Sequence, residues 1–551
     1  VKTAVLPKAG ENAWDGKTKT EPKKDDNGVY LIGTAEELAW FAQAVNNGQR
    51  TINAKLTADI ELAGYDWTPI GNVSSSSKGY KGTFDGDGHW VKNLYMNSSS
   101  YPVGLFGYLN TGAVVMGLAV TGDVTCTASS NARAGGVAGH MEDNTTIANC
   151  YSAVNVNSKK HGGSIAGYTA GGSIITNCYA SGNITTTSKN ECYLGGICGS
   201  FYKNTDGATL TNCYSIGDVT GTSGAASYLG GLTPSNNAAN YVGNCFYLDG
   251  TVSKESSKYG IIGKGTALSE SDMLKKLGVS SGKGDLTTAL EAKWKTQLTA
   301  DQKAAASVIK LIDAIGDVTL TDACKAKIDA ARAAYDKLTP AQQLLVDNYK
   351  TLTAAEKTLK KLEEDKAAAK AVDDLIDAIG KVQPTDDSKA KIDAARAAYD
   401  ALTDAQKAMV EKLDALTAAE KKYTDDKAAV DDAISKIDAI GRVELDKGSK
   451  DRIDAARAVY DKLDKELQEY VTNYDTLTKA EKRYQWLSDA ANSGSSSSGS
   501  KTDSKTDGKD DGKTVKSGNT GDNSHLTLWL GGVVVSAAAL ALLARKRRQD
   551  A

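Results

Sequence analysis

Two rhythms of apolar residues divide the chain. In the second half the spacing is helical. Ile328, Ala331, Tyr335 and Leu338 fall on one side of a helix, and the set returns at Ile392, Ala395, Tyr399 and Leu402, then at Ile453, Ala456, Tyr460 and Leu463. Charged residues fill the opposite side. In the first half the runs are short, β-branched and glycine-rich: "GGVAG" at 135–139, "GSIAG" at 163–167, "GGICG" at 195–199, with "VNVNS" or "GNITTTS" between them. Separated by polar turns, they predict short strands. A third pattern closes the chain, where the run from Leu526 to Ala544 carries no charge.

The strand region repeats. Asn149-Cys150-Tyr151, Asn177-Cys178-Tyr179, Asn212-Cys213-Tyr214 and Asn244-Cys245-Phe246 follow one another at steps of 28, 35 and 32. A glycine run precedes each, and a β-branched run follows the first three, so each unit predicts three strands. That fits one coil of a parallel β-helix, with equivalent residues stacked on neighbouring coils. Cys, Val and Ile at equivalent sites are expected inside, glycines at tight corners, and Asn bonded to backbone at a bend. All the cysteines except Cys324 lie here. Disulfides are one reading, but stacked side chains run parallel, so packing as buried thiols is expected. Cys126, Cys192 and Cys198 stand outside the ladder.

Tyr335, Tyr399 and Tyr460 mark the same place in three successive copies of the helical repeat. Gly316, Gly380 and Gly441 each follow Asp-Ala-Ile and predict left-handed helix ends. Thr353 with Glu356, Thr417 with Glu420 and Thr478 with Glu481 read as capping boxes. So do Thr339 with Gln342 and Thr403 with Gln406, with Asp464 a looser equivalent. Helices over 354–379 and 418–440 would each join one three-helix bundle to the next, similar to spectrin-like arrays, a design suited to a spacer. Cys324 stands where the other copies place Ser388 and Ser449, read as cap residues.

"YKGTFDGDGHWVKNLYM" at 80–96 and "VGLFGYL" at 103–109 resemble the GLUG-motif surface proteins, whose repeats carry Gly-Leu-apolar-Gly, as at Gly104-Leu105-Phe106-Gly107. "GTAEELAWFAQAVNNG" resembles the short helix that caps the first coil of such proteins, and "GTALSESDML" at 265–274 the segment that closes the last. The resemblance spans residues 28–298. It implies a right-handed parallel β-helix on a bacterial surface. Similar repeats occur in adhesins and in non-catalytic regions of immunoglobulin-cleaving metallopeptidases.

At the helical rise the terminal apolar run measures about 28 Å, enough to span a bilayer. Arg545, Lys546, Arg547 and Arg548 are predicted to stay cytoplasmic. Ser488 to Ser524 is too polar to pack and reads as a flexible linker. The order of linker, Thr520-Gly521, apolar helix and basic end resembles the cell-wall sorting signal of Gram-positive surface proteins. There a sortase cuts between Thr and Gly and joins the Thr to peptidoglycan. Ser517-Gly518 stand in place of the usual Leu-Pro, which leaves linkage by a variant enzyme and simple membrane anchoring both open. No secretory leader opens the chain at Val1, so a mature form is expected.

The expected organisation is a 1–27 extension, a 28–250 β-helix with an N-terminal cap, and a 251–298 C-terminal cap and transition. Helical repeats follow over 299–487, a disordered linker over 488–524, and a transmembrane or sorting segment over 525–551.

Charge excludes little except nucleic acid. With 65 basic and 68 acidic residues, interleaved, the net charge is −3 and no global field favours a polyanion. Histidines 89, 140, 161 and 525 form no His-Glu-x-x-His, and "GHMED" at 139–143 reads as turn residues between coils. No metal, cofactor or catalytic residue is assigned. The preferred function is a surface adhesin or ligand-binding protein whose β-helix face binds a host glycan or glycoprotein, such as mucin or immunoglobulin. Tyr168, Tyr193, Tyr202 and Tyr228 are the candidate contacts. The alternative is a polysaccharide lyase or hydrolase, with the acidic pair Asp85 and Asp87 of "FDGDGH" nearest to a site.

Overall fold

The computed structural model describes residues 14–72, 78–201, 207–222, 227–234, 241–253, 264–279 and 285–493. The expected transmembrane helix and the sorting residues Thr520, Gly521, Arg545, Lys546, Arg547 and Arg548 lie outside these, as does nearly all of the expected linker. Among the described residues no helix is long and apolar enough to cross a membrane. The chain divides into two units, one of Val1–Ala378 with Asp393–Leu416, the other of Ile379–Ile392 with Thr417–Ala551.

The first unit is built on a β-solenoid. Helix α1 (Ala35–Asn46) opens it, capped reciprocally by Thr34 and Glu37, with Leu38, Phe41 and Val45 buried. Beyond one antiparallel pair at Lys23–Lys24, the strands pair in parallel, coil on coil. Thr146 pairs with Val114 and Ile174, and Tyr151 with Ala119 and Tyr179, so the register follows the repeat of the sequence. The walls comprise sheets of nine, ten, four and three strands. A coil therefore has four strands where the sequence pattern suggested three. The glycine run is the cause: it turns a corner, so His161–Gly163 and Ala166–Thr169 belong to different sheets. A Cβ at Gly163 would collide with the carbonyl of Ala166.

Cys150, Cys178, Cys213 and Cys245 stack inside the coil, and all eight cysteines are buried and free. Beside them Asn149, Asn177, Asn212 and Asn244 each hold φ at +53°. Asparagine tolerates this left-handed region better than most residues. Their side chains bond one another, not the backbone as expected. Nδ2 of Asn177 donates to Asn149 at 2.9 Å, Asn212 to Asn177 at 3.1 Å and Asn244 to Asn212 at 2.6 Å.

Helices α2 (Glu270–Leu277) and α3 (Leu286–Asp313) then lie across the outer face of the ten-stranded sheet. They bury the ladder of Tyr151, Tyr179 and Tyr214 under Met273, Leu290, Trp294 and Leu298. The Trp294 indole donates to the carbonyl of Asn149 at 2.7 Å. Helix α3 runs unbroken through residue 298, where the sequence suggested the β-helix region gives way to the repeats. Helices α4 (Asp322–Asp336), α5 (Pro340–Gln343) and α6 (Tyr349–Asp377) complete a bundle with α3 around Ile312, Ile328, Ala331 and Leu359.

Next come α7 (Asp386–Asp400), α8 (Asp404–Lys407) and α9 (Leu413–Asp438). Helices α10 (Lys447–Lys462), α11 (Lys465–Gln468) and α12 (Tyr474–Ser493) follow. The second unit has its own core of Val430, Ala433, Ile437, Ile453, Ala456 and Leu477. Helix α12 extends past residue 487, into the segment read as linker.

Gly316, Gly380 and Gly441 sit at φ of 64°, 63° and 60°, the left-handed ends expected of them. Thr339 and Thr403 form capping boxes with Gln342 and Gln406. The three Thr-x-x-Glu motifs do not cap. Their helices start one turn earlier, at Tyr349, Leu413 and Tyr474. Glu356 instead makes a bidentate pair with Arg332, and Glu481 with Arg457. Asp464 makes no capping bond. Nor do Ser388 and Ser449 cap: Thr385 and Asp446, three residues earlier, accept from their backbone N–H groups. The Ser388 and Ser449 hydroxyls accept from the preceding loop at 3.2 Å, and Cys324 accepts from Thr319 at 3.4 Å in the same way.

Candidate functional site

Coil stacking turns single residues into rows. The three-stranded sheet puts Tyr108, His140 and Tyr168 in register, and the four-stranded sheet does the same for Arg133, His161, Tyr193 and Tyr228. Neighbouring strands stand about 4.8 Å apart, close to the separation at which rings stack. Centroids lie 4.1 Å apart for Tyr108 and His140, 5.3 Å for His161 and Tyr193, and 4.6 Å for Tyr193 and Tyr228.

The two rows meet at Arg133. Its guanidinium lies 4.2 Å from the Tyr168 ring centre, and its Nη1 is 2.5 Å from Nδ1 of His140. An arginine can only donate, so Nδ1 accepts and the His140 proton sits on Nε2, 3.7 Å from Glu142. Glu142 is held down to about 2, first by His140 and also by the Tyr108 hydroxyl. Burial, reinforced by Arg133, pushes His161 down to about 3, and burial lowers His140 too. Both imidazoles are therefore neutral at pH 7, and Arg133 brings a positive charge to the face.

Of the four predicted tyrosines, Tyr168 is buried, Tyr193 and Tyr228 are half-buried, and Tyr202 lies outside the described residues. The three described ones come together on this face. Sequence reasoning missed Tyr108, Arg133, His140, Glu142 and His161. "GHMED" is not a turn throughout: Gly139, His140 and Met141 belong to a strand. The signal was present, because Tyr108, His140 and Tyr168, and Arg133, His161, Tyr193 and Tyr228, follow the steps of the coil repeat.

Asp85 and Asp87 are held differently. Lys55 lies 3.0 Å from Asp87 and 3.9 Å from Asp85, while Gln302 of α3 donates to Asp87 at 3.0 Å. Asp85 accepts from the backbone N–H of Asp87 at 2.9 Å, and burial raises its pKa. This is a corner that ties α3 to the early coils. Among the described residues no group of three or more His, Cys, Asp or Glu is placed to hold a metal.

The GLUG motif matches residues 160–185, from the His161 strand through the glycine corner to the β-branched run beyond Cys178. The LPXTG cell wall anchor motif matches residues 519–551 and so begins at Asn519-Thr520-Gly521, after the Ser517-Gly518 substitution. Together with the β-solenoid, the two motifs fit a GLUG β-helix surface protein with a sorting signal. It is anchored to the cell wall on the outside of a Gram-positive cell, and its anchor implies attachment to peptidoglycan by a sortase. The chain is also similar to halomucin of Haloquadratum walsbyi (strain DSM 16790 / HBSQ001), 31% identical over 150 residues. That match spans 21% of this chain and 2% of halomucin.

Proposed function

We propose that this cell-wall-anchored protein is an adhesin. Its Tyr–His–Arg face binds a host glycan or glycoprotein, mucin and immunoglobulin among them, and its helical repeats serve as a spacer. Thr520 is the residue joined to peptidoglycan when Thr520–Gly521 is cut, and Arg545, Lys546, Arg547 and Arg548 retain the tail at the membrane until then. The observation that carries the reading is convergence: tyrosines from three separate coils share one face with an arginine. Aromatic and arginine side chains dominate binding hot spots. Many copies on one wall would multiply a weak contact.

The test is binding of the purified protein to immobilised mucin and immunoglobulin. Tyr193→Ala with Tyr228→Ala is expected to weaken capture roughly tenfold or more, with circular dichroism showing the β-helix still folded at the assay temperature. Asp85→Asn with Asp87→Asn is expected to leave capture intact. Capture insensitive to the tyrosine changes would remove the face from the reading. Depolymerisation of a polysaccharide, abolished by the aspartate changes, would replace the adhesin with an enzyme.

A further inference from the structure

A cleft of about 550 Å³ lies between the asparagine corner of the solenoid and the first helical repeat, within the first unit. Its size is that of small-ligand sites, roughly 300–1,000 Å³. Asn212, Asn244 and Thr211 line one side, and Lys293 and Gln297 of α3 the other. Tyr241 stands at the rim, 61% exposed. We propose that this cleft binds a neutral saccharide unit, at a second site independent of the Tyr–His–Arg face.

The chemistry of the lining selects the ligand. Lys293 is the single cation among the lining residues, too few to hold a phosphate chain, and amides and hydroxyls outnumber aliphatic groups. Sugar hydroxyls both donate and accept, and amides answer both. The bonds along the ladder occupy one N–H and one lone pair of Asn212, leaving a second of each. The exposed Tyr241 ring supplies the flat apolar surface on which a sugar ring packs.

A comparison among the repeats gives an independent reason. Asp301 is 1% exposed, and Asn177, Gln297 and Gln342 donate to it at 3.1, 3.0 and 2.9 Å. The corresponding Asp365 and Asp426 are each neutralised by the lysine four residues before, Lys361 and Lys422, at 2.8 and 2.7 Å. In the first repeat Gln297 takes that lysine's place. The exchange removes a cation from the cleft. It leaves the Gln297 carbonyl and second N–H unused by the bond to Asp301.

The purified full-length chain in a non-glycosidic detergent would be titrated calorimetrically with chitobiose, lactose and cellobiose. Saturable binding of at least one is expected. A chitobiose response would identify an N-acetylhexosamine ligand of the wall type, and a lactose response a galactoside of the host type. Tyr241→Ala should weaken the binding roughly tenfold. Gln297→Lys, which restores the residue type of the other repeats, should weaken it similarly. Tyr193→Ala with Tyr228→Ala should leave it unchanged. No saturable heat with any of the three sugars, or affinity indifferent to Tyr241→Ala, would overturn the site. Affinity lost only with Tyr193 and Tyr228 would assign the sugar to the other face and equally overturn it.

Discussion

His161 shows how a stacked position acquires a pH dependence. Its folded pKa of about 3 lies below the 6.5 of a free imidazole because burial disfavours the charged ring. Between those values the unfolded chain binds more protons, so stability falls as the pH drops from 6.5 towards 3. Glu142, at about 2 against 4.5, acts in the same direction: its contribution is complete above 4.5 and is lost as pH falls through about 2. The melting temperature of the first unit should therefore decline steadily below pH 6.5. His161→Tyr, the residue type of the next two coils, should flatten that slope. A melting temperature constant from pH 6.5 to 4 would contradict the assignment. At this scale the asparagine and cysteine ladders were legible, since a repeated residue at a repeated step has one natural place in a coil. Arg133 and the histidines were not, because residues of different types occupy the equivalent positions and hide the repeat.

Among the elements, helices were the easier to read. A rhythm of Ile, Ala, Tyr and Leu closed by a glycine at positive φ leaves little ambiguity about where a helix ends. The starts misled, and for a physical reason. Thr-x-x-Glu can cap a helix, but an internal glutamate can equally reach an arginine on a neighbouring helix, as Glu356 reaches Arg332. The helix then begins one turn earlier, after Asn348, whose amide donates to Ile309 and Asp313 at 3.0 and 2.8 Å. Helix α6 is expected to depend on its unbroken backbone over Tyr349–Asp377. Ala368→Pro removes one ladder bond and should cost about 3 kcal/mol, read as lost helical circular dichroism and a lower melting temperature. An unchanged melt would mean that the helix is already interrupted there.

For the whole molecule, surface attachment was legible because composition alone separates a polar linker from an apolar tail. Thr520→Ala should deplete the wall-bound fraction and raise the membrane-bound one, and a chain ending at Ser493 should be released to the medium. A wall-bound fraction unchanged by Thr520→Ala would place the cut elsewhere. The cover over the ten-stranded sheet was not legible. It depends on contacts such as Trp294 with Asn149, 145 residues apart, and no local pattern announces them.

That cover also bears on how the head can change in length. A bare solenoid gains or loses whole coils with little penalty, since each touches only its neighbours. Here α3 braces several coils at once: Gln302 meets Asp87 while the neighbouring Asp301 meets Asn177, Trp294 meets both Trp90 and Asn149, and α2 packs against both α3 and the closing strands. One coil adds about 4.8 Å, so removing one shifts the partners on one side of the helix relative to those on the other. Deleting residues 146–173, one full repeat in register, should leave the remaining coils able to stack but pull one side of α3 off its partners. Calorimetry of that deletion should show the solenoid and the first bundle melting separately, against a single transition for the intact unit. A single undisturbed transition would mean that coil number is free to vary, as in solenoids that carry no such brace.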